Sequence, residues 1–240
     1  MNGKIVLETG TKVNIRKDQV FLDGKLVTLP DQEGIHWVVL NKPKGVVTTM
    51  KDEKDRETVL KYLPKAQELR LVPVGRLDKD STGLLVFTNE VGWIHPLTHL
   101  SFMNSRKYQV SVRGIPSERV LDQLNVGKLI SKETNDRIPK CPCFIREVDF
   151  QGNACILEIT LAGISSTMLA EIAQSMNCEL LGVKRIAFGS IELKGLRKGD
   201  WKELTKSEVV RLKESCMKNF VNRGTTSSEA PREAKRIGRR

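Results

Sequence analysis

A chain of 240 residues with 39% hydrophobic and 29% charged residues has globular composition and enough length to bury a core without disulfides or a structural metal. Forty Lys and Arg against 29 Asp and Glu leave a formal charge of +11, an excess that suits a polyanionic partner whose condensed counterions are released on binding. No run approaches the roughly 18 apolar residues that span a bilayer, and no basic amphipathic helix with a broad apolar face is evident, so nucleic acid rather than membrane is the expected partner. The opening stretch MNGKIVLETGTKVNIRKDQ has no apolar core of an export signal. The five cysteines, Cys141, Cys143, Cys155, Cys178 and Cys216, are odd in number and scattered, which fits reduced thiols and a cytoplasmic location. Cys141-Pro142-Cys143 lacks a second pair at zinc-ligand spacing, so two thiols in a strand, and no metal, are expected there.

In chain order, Gln19 to Leu22 and Lys25 to Thr28 flank Asp23-Gly24, a strong two-residue hairpin signal. Polar turn residues from Pro30 to Gly34 mark a boundary. Trp37 to Leu40 and Gly45 to Thr49 read as strands around the basic turn Asn41-Lys42-Pro43-Lys44, and Leu71 to Val74 and Leu84 to Thr88 as two more around a polar loop. Lys107 to Val112 and Cys155 to Leu161 alternate with period two. Helical spacing marks Arg56 to Leu63, Pro116 to Leu124, Ser165 to Met176, with Asn177 as its stop, and Ser207 to Phe220. Strands predominate with helices inserted between them, which predicts an α+β fold with a mixed, mostly antiparallel sheet. Three regions are expected: a small N-terminal piece over 1–33, a main domain over 34–221, and a disordered basic tail over 222–240. The tail holds Arg223, Arg232, Lys235, Arg236, Arg239 and Arg240 against Glu229 and Glu233, with almost nothing to bury.

The densest chemistry lies in Val74-Gly75-Arg76-Leu77-Asp78-Lys79-Asp80-Ser81-Thr82-Gly83-Leu84-Leu85, where two carboxylates, two cations, two hydroxyls and two glycines sit between apolar strands. By composition this is a polar turn. Its run GRLDKDSTGLL, however, resembles the central motif of the pseudouridine synthases, in the branch that modifies ribosomal RNA of the small and large subunits. Other landmarks follow in the same order: LNKPKGVVTT (Leu40 to Thr49), HPLTHLSF (His95 to Phe102) with KYQVSV (Lys107 to Val112), and VKRIAFGSIELKGLRKGDWKELT (Val183 to Thr205). The resemblance covers about Asn2 to Ser207.

What the resemblance implies is a cofactor-free isomerase acting on ribosomal RNA as a monomer. Such an enzyme breaks a glycosidic carbon–nitrogen bond, turns the base, and rejoins it through carbon. Asp78 is then the catalytic carboxylate, as nucleophile or base. Arg76 enters the RNA helix where the target base leaves, and Tyr108 stacks on the flipped uracil. Asp80 shapes the turn. Lys42, Lys44, Lys79, Lys107, Lys184 and Arg185 are the expected RNA-binding cations.

Two departures stand out. A basic run that opens a helix in relatives, and pairs with the catalytic carboxylate there, falls here on Ser165-Ser166-Thr167-Met168, and no cation lies between Gly163 and Asn177. A part-buried carboxylate needs a cation nearby to stay ionised. Arg76, Lys79, Lys184 or Arg185 within about 4 Å would replace it, and strand alternation lets only one of Lys184 and Arg185 face inward. The alternative is a catalytically silent RNA-binding or ribosome-assembly factor on the same scaffold. The second departure is N-terminal: Asn2 to Val27 resembles only the second half of a small RNA-binding module of S-four type.

Overall fold

The computed structural model describes residues 1–8, 11–14, 17–27, 34–52, 54–125, 143–162 and 168–224. The chain divides into two compact units, Met1–Ile35 and His36–Arg240. In the first, β1 (Phe21–Leu22) pairs antiparallel with β2 (Lys25–Leu26). Asp23 and Gly24 both adopt positive φ, 50° and 76°, the two left-handed positions of a turn whose twist matches that of the strands it joins. Asn2 ties this unit together. Its side-chain amide donates to Asp18 Oδ1 at 2.9 Å and its carbonyl oxygen accepts from the Gln19 amide at 2.8 Å.

In the second unit, nine strands of the described residues form one sheet: β3 (Trp37–Lys42), β4 (Val72–Pro73), β5 (Thr82–Thr88), β6 (Ser105–Arg113), β7 (Cys143–Gln151), β8 (Ala154–Ala162), β9 (Glu179–Phe188), β10 (Ile191–Glu192) and β11 (Trp201–Glu203). The spatial order is β11-β3-β5-β9-β6-β8-β7, with β4 on β5 and β10 on β9. Every pairing is antiparallel except β5 with β9, which is parallel and holds only at Thr82↔Lys184 and Gly83↔Arg185. The expected α+β class with a mixed, mostly antiparallel sheet is therefore observed.

Alternation builds the core. Val38 and Leu40 of β3, Leu85 and Phe87 of β5, Val110 and Val112 of β6, and Leu157, Ile159 and Leu161 of β8 are all buried in one cluster, each worth about 1.5–3 kcal/mol relative to exposure. The helix α3 (Met168–Ser175) adds Leu169, Ile172 and Ala173 to that cluster. It stops at Asn177, whose φ of 54° is the left-handed value of a helix end. The helix α2 (Glu118–Asn125) is fastened by Asn125, whose side chain accepts from the Ile145 amide at 2.7 Å. A short helix α1 (Ile94–Thr98) meets the terminal helix α4 (Lys206–Gly224), where the Cys216 thiol donates to Pro96 O at 3.2 Å.

Several expectations are corrected. Gly45 to Thr49 is not a strand; only Val47 bridges, in parallel, to Thr58. The helix expected over Arg56 to Leu63 is one 3-10 turn, Val59–Tyr62. Both have one cause. The Asp52 carboxylate accepts from the amides of Lys54 and Arg56, a local bond that competes with helix formation, and Val47 then pairs with Glu57 and Val59 by backbone bonds of 2.9 and 3.1 Å. The terminal helix runs to Gly224, so Asn222 and Arg223 belong to it rather than to the tail. Cys141 and the remainder of the tail lie outside the described residues.

Candidate active site

The loop between Val74 and Thr82 leaves β4, turns through Gly75 at φ 76°, and enters β5. Its apolar residue Leu77 is buried, while Arg76, Asp78, Lys79 and Asp80 are exposed. The turn closes on itself where the Ser81 amide donates to Asp78 O at 3.1 Å. Nothing in that bond fixes the loop against the sheet. That task falls to the segment after β3.

Thr48 Oγ1 donates to Leu77 O at 2.7 Å and accepts from the Leu77 amide at 3.3 Å. The Gly45 amide donates to Lys79 O at 2.8 Å. Lys42, with 0% exposure, sends its Nζ to three carbonyl oxygens: Pro43 at 3.0 Å, Lys79 at 3.1 Å and Ser81 at 2.7 Å. Burial brings the Lys42 ammonium from its ordinary 10.5 down to about 8, against the opposing pull of the Asp80 and Asp78 carboxylates. The expectation that Lys42 contacts RNA is thus corrected: its charge lies under the loop, fully donated to backbone.

Register places the other key residues. Lys42 pairs with Gly83, Gly83 with Arg185, and Arg185 with Tyr108, a row crossing β3, β5, β9 and β6. A slip in the β6–β9 ladder between Lys107 and Tyr108 lets this row form, because Ile186 is bypassed. Arg185 is 2% exposed. Its Nε donates to Leu84 O at 2.7 Å, and its guanidinium lies 5.2 Å from the Phe188 ring centroid. Burial lowers its pKa, opposed by Tyr108. Its Nη2 is buried with no hydrogen-bond partner. Arg185 as an RNA contact is therefore also corrected; it is an interior residue that stitches β9 to β5. Its neighbour Lys184 is exposed, so one of the pair faces inward, as alternation predicts.

Tyr108 is 1% exposed and belongs to the core cluster, so its ring has no open face here. Lys44, like Arg76 and Lys79, is exposed. Lys107 is half-exposed and ion-paired to Glu158 at 3.2 Å. Among the described residues Asp78 forms no ion pair, so the expected substitute cation at salt-bridge distance is not found. Ser165-Ser166-Thr167, onto which the missing basic run falls, lies outside the described residues; α3 begins at Met168.

Sequence reasoning passed over Thr48, which bears on the loop from inside the already quoted LNKPKGVVTT, and Gly83. It also passed over Arg197 and Lys198, both exposed. Their turn is held to β3 by Asn41, whose amide Nδ2 donates to Leu196 O at 2.9 Å. The signal for them was present in the quoted GLRKGD. Among the described residues no cluster of metal-ligating side chains occurs, and no helix is long and apolar enough to cross a membrane.

This mixed sheet, with an aspartate-bearing loop entering a central strand, is the fold of a pseudouridylate synthase. A crystal structure of a pseudouridylate synthase is similar with a TM-score of 0.64 at 21% identity, over 88% of this chain and 86% of that one. Residues 36–162 match the RNA pseudouridylate synthase model, and the chain belongs to that family. Ribosomal large subunit pseudouridine synthase B of Bacillus subtilis is 30% identical over 213 residues, 89% of this chain and 84% of the relative. An uncharacterized RNA pseudouridine synthase of Aquifex aeolicus is 30% identical over 223 residues, 93% and 86% of the two chains.

Proposed function

We propose that this protein isomerises a uridine of ribosomal RNA to pseudouridine, with Asp78 as the catalytic carboxylate. The observation that carries the reading is the Gly75–Ser81 loop, anchored from below by Lys42 and Thr48 with Asp78 exposed on it, in a chain of this family. The bond between ribose C1′ and uracil N1 breaks, the base rotates, and a C1′–C5 bond forms while the C5 proton passes to N1. Atoms and electrons balance within the substrate, so no redox partner or group donor is required.

The target base must leave the stack to meet Asp78. Arg76, exposed two residues before it, is suited to fill the gap. Lys44, Lys79, Lys184, Arg197 and Lys198, all exposed, are the cations we assign to phosphates. Tyr108 is assigned to the pocket wall beside Arg185; any face it offers to uracil comes from displacing side chains now packed on it. The N-terminal unit is assigned to RNA binding, as are the basic residues after Gly224. Buried free thiols at Cys155, Cys178 and Cys216 are in keeping with a reducing, cytoplasmic location, and the protein is taken to act as a monomer, which size-exclusion chromatography checks.

A second reading, an RNA-binding factor without catalysis, is favoured by one observation: among the described residues Asp78 has no ion-pair partner. Single-turnover assays on ribosomal RNA separate the two. Asp78→Asn should reduce isomerisation by at least about 10³-fold with RNA affinity nearly intact. Chemical mapping of pseudouridine in ribosomal RNA from cells with and without the gene should then show one modified position lost. Wild-type protein that binds tightly but modifies nothing would establish the second reading.

A further inference from the structure

We infer that Trp201 is a stacking platform for an unpaired base of the substrate RNA, near the uridine that reaches Asp78. This deepens the reading of the protein as an RNA-modifying enzyme and rests on it. The chain has three tryptophans. Trp37 and Trp93 are 2% and 9% exposed, whereas Trp201 is 42% exposed. Register sets its place. Trp201 pairs with Leu40, and Lys42, two residues further along β3, pairs with Gly83. Directly paired residues share a face of a sheet, so Trp201 stands on the face of Leu40, which belongs to one cluster with Tyr108. Two strand spacings and two residues of rise put its Cα about 12 Å from that of Gly83, where the Asp78 loop enters β5.

The turn that leads into Trp201 is tied to the segment that holds the Asp78 loop. The Gly199 amide donates to Asn41 O at 2.8 Å, and the Asn41 amide donates to Asp200 O at 3.0 Å. Gly199, at φ +87°, rests on the Tyr62 ring so closely that a Cβ there would lie 3.3 Å from Tyr62 Cε1. At the other end of the same segment the Gly45 amide donates to Lys79 O at 2.8 Å. Trp201 and the Asp78 loop are thus held from opposite ends of Asn41 to Gly45.

A single exposed hydrophobe is ordinary on a protein surface, and covering Leu40 is a task that an aliphatic side chain performs as well. What an indole adds is a broad flat face, and its surroundings are cationic. Lys44, Arg197 and Lys198 are exposed around it, against one carboxylate on the turn, Asp200. Lys202 does not join them: it pairs with Val39 on the opposite face, and its Nζ reaches Glu208 at 3.2 Å. An aromatic face among cations fits a nucleobase flanked by its own phosphates, and it accepts any base because every base has a π-face. Stacking requires that the base be open. The RNA this surface takes is therefore unpaired beside the target, in a loop or bulge rather than a continuous helix.

Acrylamide quenching of intrinsic fluorescence reads this surface directly, because the other two indoles are buried. The probes are an oligouridylate of about ten nucleotides, within the usual span of single-strand sites, and an abasic strand of equal length and charge. Trp201→Phe should remove most of the quenchable emission. Saturating oligouridylate should shield wild type from acrylamide, and the abasic strand should not. Trp201→Ala should weaken oligouridylate binding at least about fivefold, with the slope of log affinity against log salt unchanged because no phosphate contact is lost. Quenching that oligouridylate leaves unchanged overturns the proposal, as does equal shielding by the abasic strand or wild-type affinity in Trp201→Ala. If Trp201→Ala does not fold, wild-type quenching decides: shielding by oligouridylate alone supports the platform, and its absence ends it. Asp78→Asn separates this from the reading beneath it. If that variant turns over normally while its Trp201 is shielded, the site assignment fails and the platform stands; if it is inactive and Trp201 is unshielded, only the platform fails.

Discussion

Gly83 and Arg185 approach so closely across the β5–β9 pairing that a Cβ on Gly83 would lie 2.2 Å from the Arg185 carbonyl oxygen and 2.8 Å from its amide nitrogen. Both neighbours are backbone and cannot swing aside. Gly83 also has φ of +102°, a value that side-chain-bearing residues rarely adopt. The loop that holds Asp78 therefore enters its strand through a position open to glycine alone.

Gly83→Ala should destabilise the protein by more than the roughly 1–3 kcal/mol of a strained backbone position, because the contact with Arg185 adds to it. Urea unfolding at neutral pH measures this. A midpoint equal to that of wild type would mean that β5 and β9 are not joined at this register.

Lys184 and Arg185 should separate by observable. Lys184→Ala, on the exposed side, should leave stability unchanged and reduce the slope of log affinity against log salt by about one phosphate contact. Arg185→Met should leave the salt slope alone. It strips Leu84 O of its 2.7 Å partner, and leaving a buried acceptor unpaired costs about 1–3 kcal/mol. A changed slope for Arg185→Met would contradict its interior placement.

Lys213 of α4 sits between two indoles, 5.4 Å from the Trp37 ring centroid and 5.1 Å from that of Trp93, and pairs with Glu90 at 2.5 Å. Trp37 Nε1 donates to the same Glu90 carboxylate at 3.0 Å. Lys213→Met should lose about 1–2 kcal/mol of stability and speed hydrogen exchange in α4, while rates at the Asp78 site stay unchanged. Exchange confined to its wild-type pattern would show that the cation does not fasten this helix.

Cys216 is fully buried, and burial pushes its thiol from the ordinary 9.0 up to about 11. A disulfide reagent at pH 8 should leave it unmodified in native protein and titrate it after unfolding. Above pH 9 the unfolded chain releases this proton and the folded chain keeps it, so the group lowers stability between 9 and about 11. Cys216→Ala should show a shallower alkaline decline in urea midpoints measured at pH 8 and 10; an identical decline would place the cause elsewhere.

Local signals were legible and distant ones were not. The Asp23-Gly24 hairpin, the alternation in Lys107 to Val112 and Cys155 to Leu161, and the stop at Asn177 are written in neighbouring residues, and each is found. Lys42 was misread because a lysine in a turn is ordinarily solvated. Its burial depends on carbonyls of residues 37 and 39 positions further along the chain, which no local pattern discloses. Val46 to Thr49 has strand composition, yet it feeds Thr48 to Leu77 instead of forming a ladder. The Asp78 loop itself was found by motif likeness, while the anchors that fix it were not.

The seam between the two halves of the sheet consists of two residue pairs together with crossed side-chain bonds, Thr82 Oγ1 to Val183 O at 3.3 Å and Arg185 Nε to Leu84 O at 2.7 Å. Those partners are 101 residues apart in sequence, whereas β7 and β8 are adjacent hairpin strands. Closing so long a chain segment incurs its entropy before two pairs return any of it. The Asp78 loop and the strand that carries Tyr108 are thus brought to one place by two residue pairs and two side-chain bonds, and a substitution that opens this seam separates the carboxylate from that wall while leaving the β7–β8 hairpin its own ladder.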